Sequence, residues 1–149
     1  MRWTVIRRGI TRTVLLTRRY AIKIPALRTN GDGFSGLLWS LARGVLANQA
    51  ELAWKEYEPW QDALCPIVWS SWGGLVVVMP RCEPLEVNHL GEFEGELPKL
   101  EPNPGDDKPE NYGRLNGRIV RLDYDMSYNA CPHDRSGARN RVDYPLLPE

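Results

Sequence analysis

Three β-branched-rich runs stand almost end to end at the start of the chain: residues 3–9 (WTVIRRG), 11–17 (TRTVLLT) and 20–25 (YAIKIP). A parallel neighbour needs a crossover of a dozen or more residues, so links this short leave an antiparallel meander. Pro25 has no N–H to continue a ladder and closes the third run. Two more apolar runs, 65–71 (CPIVWSS) and 73–81 (GGLVVVMPR), read as strands joined by a turn at residues 71–74. Between the two groups, after the turn-rich TNGDGFSG, lies residues 36–59, where Leu38, Leu41, Val45 and Leu52 recur at the spacing of one buried helical face. Pro59 marks the stop of that helix. The first 80 residues therefore predict five strands and one long helix, an α+β unit.

The second half is patterned differently. Residues 82–107 are rich in Glu, Gly and Pro and read as loop, with a short helix at most near residues 85–90. A hairpin then follows, residues 112–115 and 118–122 around Asn116-Gly117, a pair that tolerates the positive φ angles of a type I′ turn. Beyond Asp125 the sequence turns to Arg, Asp, Asn and Pro and reads as an irregular tail. In it, Cys131, His133 and Asp134 stand close together but read as a polar turn rather than a metal site. With 149 residues and 42% hydrophobic content, residues 1–80 and 81–149 are expected to form one compact unit.

Charge and cysteine usage narrow the class. Lys plus Arg and Asp plus Glu both number 19, which does not favour a nucleic-acid partner. Residues 1–30 carry bases and no acid, whereas residues 83–110 are strongly acidic. The three cysteines, Cys65, Cys82 and Cys131, form no C-x-x-C pair, so neither a disulfide framework nor a structural zinc site is expected. No leader pattern and no span long enough for a bilayer is visible, and the expectation is a soluble protein of a reducing cytoplasm without membrane contact. Trp54, Trp60, Trp69 and Trp72 gather around the helix end and fourth strand, where a core or interface role, including self-association, is expected.

The segment Asp106-Asp107-Lys108-Pro109-Glu110-Asn111, its hairpin and Leu122-Asp123-Tyr124-Asp125 hold the chemistry. A hairpin brings the residue that enters it, Asn111, beside the one that leaves it, Asp123. Together these residues resemble the catalytic loop and metal-binding segment of protein kinases, written D-x-K-P-E-N and D-F-G in that family. Tyr20-Ala21-Ile22-Lys23 resembles the strand carrying the phosphate-binding lysine, and Glu51, in the helix that follows, matches the glutamate that orients it. Glu56 and Glu58 are the alternatives, and a solvated pair of Glu51 with Lys55 four residues on is the plain structural reading. Residues 75–85 resemble the fifth strand and hinge, where the backbone at Met79, Arg81 and Cys82 would meet an adenine edge.

The resemblance implies a kinase-like N-lobe of five antiparallel strands and one helix, with a much reduced C-lobe around the catalytic hairpin. It implies ATP and magnesium as cofactors: Lys23 on the α and β phosphates, Asp106 as base, Lys108 neutralising transferred charge, and Asn111, Asp123 and Asp125 on the metal. Several positions depart from the family. No G-x-G-x-x-G lies between the first two strands, which leaves Arg7, Arg8, Arg12 and the backbone to cover phosphates. Pro104-Gly105 replace His-Arg, and Tyr124-Asp125 replace Phe-Gly, closer to the Asp-aromatic-acid segment of choline-kinase-like small-molecule kinases. Two functions follow from the resemblance: phosphoryl transfer to a hydroxyl of a protein or small molecule, or a catalytically degenerate, phage-type effector acting through a protein partner.

Overall fold

The five runs form one antiparallel sheet in the computed structural model, which describes residues 4–8, 11–29, 33–56, 58–85, 95–98, 100 and 108–124. Its strands are β1 (Thr4–Arg8), β2 (Arg12–Leu16), β3 (Tyr20–Pro25), β4 (Trp69–Ser70) and β5 (Val77–Pro80), in the order β1-β2-β3-β5-β4. The meander β1-β2-β3 is set by its short links, and β5 joins it by pairing Lys23 with Val77 and Ala21 with Met79. The fourth strand is shorter than its apolar run. Residues 65–67 leave the ladder, and Ser71 turns the chain by accepting the Val76 N–H at 2.8 Å through its hydroxyl. Gly73 and Gly74 take φ of +74° and +72°, which side chains rarely adopt.

The helix α1 (Gly33–Trp54) begins three residues earlier than expected and ends before Lys55. The face it buries also differs from the expected one. Leu38 is 49% exposed, while Gly36, Ser40, Gly44, Ala47, Asn48, Glu51 and Trp54 face inward. The reason is closeness. At Gly44 an added Cβ would lie 2.5 Å from Pro25 Cα and 2.7 Å from the Thr11 carbonyl oxygen, so the helix rests on the sheet through its small residues. Ser40 fixes the same contact with a hydrogen bond to the Ala26 carbonyl, and Asn48 donates to the Gly74 carbonyl at 2.7 Å.

A second sheet follows β5: its hairpin was expected, and the strand that pairs with it was not. Here β6 (Glu83–Pro84) pairs antiparallel with β7 (Tyr112–Leu115), which pairs with β8 (Arg118–Arg121). The hairpin turns through Asn116 at φ +50° and Gly117 at φ +82°, the two positive angles of a type I′ turn. Gly113 admits the segment after β5, since a Cβ there would lie 2.8 Å from Cys82 Cβ. Reciprocal bonds between Ala63, Cys65 and Arg121, each 2.8 Å, tie β8 to the chain that leaves the helix. The core fills the space enclosed by these elements: Trp54, Trp60, Leu64, Cys65, Val77, Met79, Leu100, Val120 and Tyr124. Trp54 stacks on Trp60 with ring centroids 4.2 Å apart. The described residues thus form an α+β structure of two antiparallel sheets and one long helix, and none of their helices is long and apolar enough to cross a membrane. The short helix expected near residues 85–90 and the tail, with Cys131, His133 and Asp134, lie outside them or at their edge.

Candidate functional site

Alternation along a strand places every second side chain on one face. Val14 stands opposite Lys23 in the β2-β3 register, so Arg12, two residues earlier, shares the face of Lys23. That face is covered by α1, and both cations are buried, at 5% and 6% exposure. Buried cations require partners. Glu51, fully buried on the inward side of α1, supplies one: Lys23 Nζ lies 2.5 Å and Arg12 Nη1 2.8 Å from its Oε1. Lys23 also donates to the Leu122 carbonyl at 2.6 Å, and its ammonium sits 5.8 Å from the Tyr124 ring centre. Arg12 reaches one residue further and bonds Asp123 Oδ1. Three distant parts of the chain, the β2-β3 hairpin, α1 and the end of β8, thus meet in one cluster of two cations and two carboxylates.

The walls of the cluster hold it in place. Tyr124 is buried below Lys23 and donates its hydroxyl to the Cys65 carbonyl at 3.1 Å. Burial, then the Glu51 charge, push its phenol well above the usual tyrosine range, so it remains a neutral donor. Arg121, 1% exposed, donates Nε to the Asp123 carbonyl at 2.9 Å and Nη1 to the Tyr112 hydroxyl at 3.0 Å, fixing the backbone that presents Asp123. The Asp123 side chain itself is 42% exposed and so faces solvent on one side. Of the described atoms, Glu51 Oε2 is buried without a hydrogen-bond partner.

Several expected residues come together here. Lys23 pairs with Glu51, whereas Glu56 and Glu58 are exposed and Glu56 bonds Lys55 at 3.3 Å instead. Asn111 is buried at the start of the hairpin, and its carbonyl accepts the Leu122 N–H at 2.7 Å, which sets it beside the residue preceding Asp123. Lys108 is exposed, and its carbonyl accepts the Asn111 N–H at 2.9 Å in a single 3-10 turn. Asp106 and Asp125 lie outside the described residues. Within β5, Met79 points into the core, and after it Cys82 is half-buried.

One expectation needs correction, and another is narrowed. The Arg81 N–H donates to the Arg19 carbonyl at 2.8 Å, because the β3-β5 ladder runs one residue past its named strands, so that backbone group is engaged within the sheet. Its guanidinium bonds the Thr17 carbonyl at 2.9 Å. Arg12 does not extend outward as a phosphate-covering residue. It turns inward to Glu51 and Asp123, and the signal for this was its parity with Val14 on β2, legible only once the register with Lys23 is known. An open cleft of about 420 Å³ beside Lys55, Asp62, Cys65 and Ile67 is lined by none of the cluster residues. Comparison with protein-family models, curated proteins and solved structures gives no match.

Proposed function

We propose that the chain is a minimal kinase-like domain that binds Mg-ATP and transfers its γ-phosphoryl group to a hydroxyl of a protein or small molecule. The observation that carries this is the direct contact of Lys23 on β3 with Glu51 on α1, next to the chain end that presents Asp123. Of the three N–H donors on Lys23, Glu51 and Leu122 occupy two, and in this reading the third serves the α and β phosphates. Glu51 orients the ammonium. Lys108 is an exposed cation and neutralises transferred charge, while Asp106 accepts the hydroxyl proton. Asn111, Asp123 and Asp125 offer hard oxygen ligands, which suit magnesium, and the half-exposed Asp123 carboxylate is open to a ligand on its solvent side. Magnesium, when bound, offsets phosphate charge. Asp106→Ala should keep nucleotide affinity and lower turnover about a hundredfold or more. Equal turnover in wild type and Asp106→Ala overturns the role of that residue.

Arg12 favours a second reading, a kinase-derived binding protein that holds nucleotide without turnover. Its guanidinium already pairs with both Asp123 and Glu51, which lessens the need for a metal at the Asp123 carboxylate. Nucleotide affinity that is the same with magnesium or with a chelator would select this reading. The exposed aromatics Trp69 and Trp72, at 55% and 93%, would then offer apolar surface to a protein partner or a second copy, as would Phe34 and Trp39 on α1.

A further inference from the structure

Outside the charged cluster, two thiols lie in contact. Cys65 Sγ and Cys82 Sγ are 3.6 Å apart although the residues are separated by 17 positions, and both sulfurs face the Pro80 carbonyl, at 3.8 and 3.9 Å. Neither placement is loose. Cys65 is fixed by its N–H bond to Arg121, and Cys82 lies where only a glycine fits at position 113. Cys65 is fully buried, whereas Cys82 is partly open to solvent.

We propose that Cys65 and Cys82 are a peroxide-reactive dithiol site that closes to a reversible disulfide, with Cys82 the attacking thiol and Cys65 the resolving one. The Cys82 thiolate sulfur attacks one oxygen of a hydroperoxide and the O–O bond breaks. Cys82 becomes a sulfenic acid, and the departing oxygen takes a proton to leave as water or an alcohol. Cys65 sulfur then attacks the Cys82 sulfur: the S–S bond forms, the S–O bond breaks, and the hydroxyl leaves as water with the Cys65 proton. Two thiols are oxidised and one peroxide is reduced. The sulfurs need to close from 3.6 Å to about 2.05 Å, a movement within the reach of side-chain rotation and a small backbone shift. The order of attack follows from access, since Cys82 is partly open to solvent and Cys65 is buried. The contact with Cys65 also lowers the Cys82 thiol from its ordinary range, against the opposing effect of burial. Cys65 is pushed far up by the same contact and by its burial. The site stands whether or not the chain binds nucleotide.

The full chain treated with stoichiometric hydrogen peroxide, quenched by alkylation, digested and analysed by mass spectrometry tests this. The expected product is one cross-linked peptide pair joining Cys65 to Cys82, two hydrogen masses lighter than its parts and restored by dithiothreitol. Cys131→Ser should form it unchanged. In Cys65→Ala, which cannot resolve, a sulfenic-acid probe should label Cys82. Cys82→Ser keeps Cys65 buried, and should leave Cys65 unmodified under the same dose. Disulfides that involve Cys131 instead, peroxide adducts on Cys65 in Cys82→Ser, or three unmodified thiols in the wild type would overturn the proposal.

Discussion

Lys23 is a strand lysine with almost no exposed surface, and its two hydrogen-bond partners come from elements far away in sequence. A solvent-exposed strand lysine would tolerate replacement. This one will not. Lys23→Met leaves Glu51 buried with Arg12 as its remaining ion-pair partner, and breaking one arm of a buried charge cluster should cost about 3 kcal/mol, measured by urea unfolding. A loss below about 0.5 kcal/mol would mean that Arg12 alone satisfies Glu51. Arg12→Met carries the opposite expectation for metal: removing its ion pair with Asp123 should raise the magnesium dependence of nucleotide affinity, read by titration with and without chelator. Lys23 and Glu51 were legible as types at a spacing, since a strand lysine and a mid-helix glutamate are visible in the chain. Arg12 was not, because strand parity gives a face only after the pairing register is fixed.

At the scale of elements, the helix shows where periodicity misleads. Leu38, Leu41, Val45 and Leu52 follow a helical spacing, yet packing depth selects the small side chains next to them. Hydrophobicity alone cannot register that the sheet approaches within contact of the helix backbone at Gly44. Gly44→Ala should therefore destabilise the protein by about 2 kcal/mol or more, despite the better helix propensity of alanine, because its Cβ meets the Pro25 and Thr11 backbone. A stabilised Gly44→Ala protein in thermal melts would contradict this packing. The Asn116-Gly117 turn, by contrast, was legible in full, since the two positive φ angles are a local demand that the sequence answers directly. Gly117→Val should cost about 1 kcal/mol or more by the same measurement. Of the second sheet only β6 was missed, because it is two residues long and contains Pro84, too brief for any strand pattern.

For the whole molecule, the meander, helix and hairpin could be read from the chain, and their assembly around Lys23, Glu51 and Asp123 is a tertiary fact. The Trp cluster divides along the same line. Trp54 and Trp60 stack in the core, while Trp69 and Trp72 remain outside with Phe34, Trp39 and Leu27. Self-association through the exposed Trp69 and Trp72 should appear as a concentration-dependent rise in sedimentation coefficient that Trp72→Ser reduces. A single monomer species over the accessible range would remove it. The central claim, that the buried lysine-glutamate pair and Asp123 form a magnesium-nucleotide site, is tested most directly by the thermal midpoint with ATP, with and without magnesium. At a hundred times the dissociation constant, binding should raise the midpoint by on the order of 10 °C, only with both ligands present, and Asp123→Asn should lose the magnesium-dependent part. No rise at millimolar ATP and magnesium would contradict the account.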